Sequence, residues 1–185
     1  MLHRLLYPAR LDSAAGALTV RRAQPDDLTA MRRLLASDPV AANRFDDAPP
    51  ASGRIRRDAA AEHPYLVGFT RILLDPGNEL VVAEDADFAV VAMMQLTLIP
   101  GFSRRGASRL HLSAFRVASG AAAEAHARAM LDWARTAAAR LDAALVQTAV
   151  DATGVDARRT LEAAGFTGAE IGYRTSATPA SLATA

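Results

Sequence analysis

The sequence predicts an α+β fold, with α/β alternation in its second half: a central mixed, mostly antiparallel sheet flanked by about four helices. Three observations carry this. The 185 residues are 51% hydrophobic and 22% charged, the balance of one soluble globular domain long enough to bury a full core. Segments of period two stand in series through the middle of the chain and only then alternate with segments of helical period, which a mixed sheet requires. The 43 alanines, nearly a quarter of the chain, ask for many closely packed helices.

Residues 1–17 hold several leucines but are interrupted by Pro8, Arg10 and Asp12, too broken for a signal-peptide core, and read as an N-terminal extension lying on the body. Leu18 to Arg22 alternates as a half-buried strand. Gln24-Pro25-Asp26-Asp27 then places proline and acids in a helical first turn, and Leu28, Met31, Leu34 and Leu35 trace the apolar stripe until Asp38-Pro39 ends it. Val40 to Pro64, with Pro49, Pro50, Gly53 and the cluster Arg54 to Arg57, reads as a loop with a short helix. A second helix spans Tyr65 to Leu74, closed by Asp75-Pro-Gly-Asn78. Glu79 to Ala83 and Phe88 to Ile99 form hairpin strands, and Gly101 to Gly106 makes the next turn.

Arg109 to Val117 is a further strand, with Leu110, Leu112, Ala114 and Arg116 alternating against His111, Ser113 and Phe115. From Ser119, a suitable N-cap, to Arg140 the period is helical, and the strong helix formers from Gly120 to Met130 predict a helix regular from Gly120 onward. Met130, Trp133, Ala134, Ala137 and Leu141 trace its apolar face. Ala144 to Val150 returns as a strand, Asp156 to Ala164 is a helix stopped by Gly165, and Phe166 to Tyr173 is the last strand. The domain thus runs over 18–175. Ser176 to Ala185, of Ser, Ala, Thr, Pro and Leu alone, is expected to be a flexible tail.

Composition excludes several functions. All 21 basic residues are arginine against 20 acids, and a net charge of +1 predicts no attraction to nucleic acid or anionic membranes. With no cysteine, disulfides, thiolate nucleophiles and Cys-ligated metals are ruled out. No apolar run is long enough to span a bilayer, so a cytoplasmic protein is expected. His3, His63, His111 and His126 stand in no metal-ligand spacing, and no metal is expected. Neither a serine-nucleophile elbow nor a P-loop occurs.

The order of elements, with Leu18-Thr-Val-Arg-Arg-Ala23, Leu96 to Ala107, Phe115-Arg-Val-Ala-Ser119, Arg128 to Ala134 and Leu161-Glu-Ala-Ala-Gly-Phe166, resembles the GNAT superfamily of acyl-CoA-dependent N-acyltransferases over most of 18–174. The resemblance implies acetyl-CoA or a similar acyl-CoA as co-substrate and an amine, on a small molecule or a peptide, as acceptor. It implies that Phe115, Arg116 and Val117 offer backbone to the pantetheine, where two strands splay apart. It also admits a homodimer, through the sheet edge or the Arg104 turn. The family's pyrophosphate turn, R/Q-x-x-G-x-G/A, falls on Ala122, Ala123, Glu124, Ala125, His126 and Ala127, of which only Ala127 fits. Alanine replaces the permissive glycine, and Glu124 sets a carboxylate where phosphates would sit.

Acyl transfer needs a base for the amine proton. Positions where relatives carry a carboxylate and a tyrosine hold Ser113 and Leu161, so His111, which shares a strand face with Ser113, is the candidate base. Two readings follow. One is an N-acyltransferase; the other is a degenerate GNAT-fold protein with impaired CoA binding that takes another ligand or a protein partner, or catalyses a different reaction.

Overall fold

Apolar side chains recur on both sides of the central strands, so the sheet must be covered on both faces, and that requirement organises the molecule. The computed structural model describes residues 2–37, 59–150 and 154–169, with the backbone alone at 59–62 and at the Arg104 side chain's position. Strands β1 (Ala9–Leu11), β2 (Leu18–Arg22), β3 (Asn78–Glu84), β4 (Val90–Ile99), β5 (Arg109–Val117) and β6 (Leu145–Thr148) form one sheet in sequence order. Every neighbouring pair is antiparallel except β5 and β6, which are parallel. The helices are α1 (Leu28–Ala36), α2 (Ala59–Leu74), the single turn α3 (Ser103–Gly106), α4 (Ala123–Arg140) and α5 (Val155–Ala163).

Strand parity sorts the core into two layers. Val81, Ala83, Met94, Leu96, Leu110 and Leu112 pack against Met130, Leu131, Ala134, Ala137 and Ala138 of α4. The alanines let the helix axis approach the sheet closely. Leu80, Val82 and Met93 point the other way, onto Met31 and Leu34 of α1 and Phe69 of α2. Met93, Met94 and Met130 are therefore core residues.

Residues 2–17 add a strand that the sequence pattern did not announce. Leu2 and Leu5 are buried in the α4 layer, and Tyr7 lies 6.2 Å from Trp133 between ring centroids. The Tyr7 hydroxyl donates to Glu79 at 3.2 Å, and Arg22 both pairs with Glu79 and lies over the Tyr7 ring. Burial is the main cause that pushes the Glu79 carboxyl above its usual range, against the opposing pull of Arg22. A hollow of about 360 Å³ between this segment and α4, lined by Leu5, Leu6, Trp133 and Arg140 among others, includes no residue of β5 or β6.

Several boundaries differ from the expected ones. Helix α2 begins at Ala59, ahead of Tyr65, and carries Pro64 inside it. Phe88 is exposed with φ +60° in the β3–β4 turn, and β4 starts only at Val90. Phe166 to Ala169 carry no strand, and the rest of the last predicted strand, like the Arg54 to Arg57 cluster and the tail, lies outside the described residues. The β4–β5 connection is tight at Gly101, where a methyl group would run into the Ala107 carbonyl. Gly101→Ala is therefore expected to cost about 1–3 kcal/mol, read as a lower urea midpoint with an unchanged slope; an unchanged midpoint would show that the turn yields freely.

Candidate active site

Strands β5 and β6 pair from Arg109↔Leu145 to Leu112↔Thr148, where their ladder ends. The Thr148 hydroxyl donates to the Leu112 carbonyl at 3.0 Å and closes the last rung. Beyond it β5 continues to Val117 beside β4 alone, leaving a fork whose open side is β5 backbone. The register with β4 slips between Gln95↔Ser113 and Met93↔Arg116, so one extra residue is accommodated on β5. Ala114 sits there with φ +47°, a conformation that costs a residue with a Cβ on the order of 1–2 kcal/mol. Strain of this kind persists where surrounding structure enforces it, often at functional sites.

The bulge inverts strand parity, which corrects the alternation expected for β5. Leu110 and Leu112 face the α4 layer, and after the extra residue Phe115 and Val117 do so in their place. Ala114 packs on the α1–α2 layer instead, and Arg116, opposite Met93, lies on that side with His111 and Ser113. The sequence pattern could not show this, because a bulge is a break in the period on which the reading depends.

After β5 the chain turns into α4. Gly120 has φ +137°, outside the helical region and readily adopted only by glycine, so the helix cannot be regular from that residue. Ala122 is the N-cap in place of Ser119 and offers no side-chain hydrogen bond. Ala123 donates its N–H to the Gly120 carbonyl at 3.1 Å, and His126 makes the first intrahelical bond, to Ala122 at 2.9 Å. The N–H groups of Glu124 and Ala125 fall in the first turn, where a helix has no carbonyl to offer them. Glu124 is exposed, whereas His126 and Ala127 are buried.

His111 is half-buried. Burial, followed by the nearby Arg109 charge, pulls its pKa below the usual 6.5, so the imidazole is neutral at pH 7 and able to accept a proton. The sheet register lines Asn78, Thr97, His111 and Gln147 in one row across four strands, with Gln95 and Ser113 in the next. The Asn78 Oδ1 accepts from the Thr97 hydroxyl at 2.6 Å and from the Gln95 amide at 3.1 Å, while the Asn78 amide donates to Asp75 at 2.8 Å. Gln95 and Thr97 were missed as site residues. Two amphiphilic polar positions inside an otherwise apolar strand were the available signal. Among the described residues no group of three His, Asp or Glu could hold a metal ion, and no helix is long and apolar enough to cross a membrane.

No protein-family model matches the chain, and a comparison with curated proteins finds no match. Solved structures do match. A transcriptional regulator from Bacillus halodurans C-125 superposes with TM-score 0.71 and 26% identity, over 86% of this chain and 99% of that one. A putative acetyltransferase from Agrobacterium tumefaciens str. C58 gives 0.62 and 17%, over 85% and 98%. A GNAT family acetyltransferase from Staphylococcus aureus gives 0.59 and 11%, over 86% and 98%. The chain has the GNAT fold.

Proposed function

We propose, from this fold, that the protein is an N-acyltransferase that moves an acyl group from acetyl-CoA or a similar thioester to an amine. The observation that carries the reading is the fork at Leu112 and Thr148, because it opens β5 backbone directly ahead of the α4 N-terminus. Backbone of Phe115, Arg116 and Val117 would pair with the amide-bearing pantetheine arm. The turn from Ala122 to Ala127 would take the pyrophosphate, on the Glu124 and Ala125 N–H groups and the positive end of an 18-residue helix. The small side chains at Ala121, Ala122 and Ala123 leave room for that approach. Glu124 opposes it.

In the reaction, His111 takes the proton that the amine loses, directly or through a water held beside Ser113. The row of Asn78, Thr97 and Gln147 gives the acceptor a polar floor. Acetyl-CoA brings a carbonyl already activated by its thioester, so no metal is required by this scheme.

Titration with acetyl-CoA while following thermal unfolding tests the reading, since a ligand that binds only the native state raises stability. A rise is expected, and turnover with amines should release free thiol, which a thiol reagent reads without background because the chain has no cysteine. No thermal response at millimolar acetyl-CoA would sink it. Glu124→Gln should tighten acetyl-CoA binding about two- to fivefold, the scale of one charge at an exposed helix terminus; weaker binding would place the pyrophosphate elsewhere.

A further inference from the structure

Arg109 and His111 lie two residues apart on β5, on the sheet face that α1 packs against, with Cα atoms about 7 Å apart by strand rise. Both are half-buried. Burial first, and the Arg109 charge second, hold the His111 imidazole below its usual range. Other arginines answer carboxylates: Arg4 pairs with Asp142, Arg21 with Asp27 and Glu84, Arg22 with Glu79, and Arg128 with Asp132. Among the described residues Arg109 has no carboxylate partner. The acid nearest along the row, Asp75, is engaged by Asn78 and the Gly77 N–H, and Glu79 lies on the opposite sheet face with Arg22.

Among the described residues, the patch around His111 thus offers the Arg109 guanidinium beside the hydrogen-bonding groups of Thr97, Ser113 and Gln147, with Arg116 farther along the same face. The planar fork of the Arg109 guanidinium matches a carboxylate or a phosphate in two hydrogen bonds. A second cationic group on the acceptor would instead meet Arg109 without a counter-charge.

We infer that the acyl acceptor is an amine carrying an anionic group, a carboxylate or phosphate, which Arg109 holds while the amine reaches His111. This rests on the acyltransferase reading above. The amine nitrogen uses its lone pair to bond the acyl carbon, and the carbon–sulfur bond breaks with its electrons on sulfur. The proton from nitrogen passes to His111 and reaches the departing thiolate through solvent. Short amino acids and aminoalkyl phosphates match the spacing; polyamines do not.

The test uses the full chain with acetyl-CoA and matched pairs of amino acids and their methyl esters, together with aminoethyl phosphate and spermidine. The best acid or the phosphate is expected to exceed its ester and spermidine at least tenfold in kcat/KM, and the stronger of the two arms identifies which anion is used. Arg109→Gln should bring the acid-over-ester ratio toward one, chiefly through KM, and Arg109→Lys should recover part of it. An ester or spermidine accepted as well as the acids overturns the inference, and so does the absence of transfer to any anionic amine by protein that binds acetyl-CoA. Should Arg109→Gln not fold, the wild-type panel alone decides. Failure to bind acetyl-CoA overturns the acyltransferase reading itself and this inference with it.

Discussion

Replacement of His111 by glutamine is expected to lower kcat/KM for acyl transfer about a hundredfold or more, the usual contribution of a positioned general base. Glutamine keeps much of the volume and a hydrogen-bonding end, so the loss reports proton transfer more than packing. The pH profile gives the sign. Burial and Arg109 both disfavour the imidazolium, so the folded pKa lies below 6.5 and the base remains available as pH falls into mildly acidic conditions. The acid limb of kcat/KM should therefore begin below that value in the wild type and be absent from the glutamine variant. A variant within threefold of wild type with the limb intact would remove His111 from the chemistry and leave a water or the acceptor itself to dispose of the proton.

Asp27→Ala is expected to unfold the protein more readily than any other single polar change described. Its carboxylate accepts hydrogen bonds from both terminal nitrogens of Arg21, at 2.7 and 2.8 Å, and from the Gln24 N–H at 2.7 Å. Arg21 also donates to Glu84 on β3, at 2.9 and 2.6 Å. Three segments are tied at one point: β2, the start of α1 and the end of β3. Breaking one member of such a pair leaves the other charges half-buried, and because Arg21 is partly solvated the cost falls at the lower end of the buried range, about 3 kcal/mol. For a chain of this length that is a fall of about 6–12 °C in Tm.

The pH dependence of that contribution follows from the same contacts. Burial alone would raise the Asp27 pKa, but the Arg21 hydrogen bonds and the Gln24 N–H outweigh it and hold the carboxyl below its usual 3.8. A carboxyl depressed in the folded state stabilises fully above its unfolded value and loses that contribution as pH falls through the folded one. The difference in stability between wild type and Asp27→Ala should thus be constant near neutrality and shrink in strong acid. A constant difference down to pH 2 would mean that packing, not charge, holds the junction.

Much of the site was legible in the chain. The strand Arg109–Val117 has the bounds its alternation predicts, and His111 and Ser113 do share a face. Other features were not. Gln95 and Thr97 become neighbours of His111 only through the β4–β5 register, a relation between residues far apart in sequence. The first turn of α4 illustrates the same limit, because helix propensity alone favoured a start at Gly120. That propensity is worth less than about 1 kcal/mol per residue, and the chain must reverse direction after β5 to lay α4 back across the sheet. Gly120 makes that reversal at φ +137°, and the helix is delayed to Ala123.

The sequence by itself determined the composition of the core, the type and order of most elements, and the absence of any thiol. Those properties depend on local periodicity and residue chemistry, which need no partner to be read. Only the tertiary structure decided that Ala9–Leu11 adds an edge strand to the sheet, that the bulge at Ala114 turns Arg116 to the His111 face, and that among the described residues Arg109 has no carboxylate partner beside His111. Each is a consequence of pairing register, and register is set by which surfaces the whole chain can bury at once.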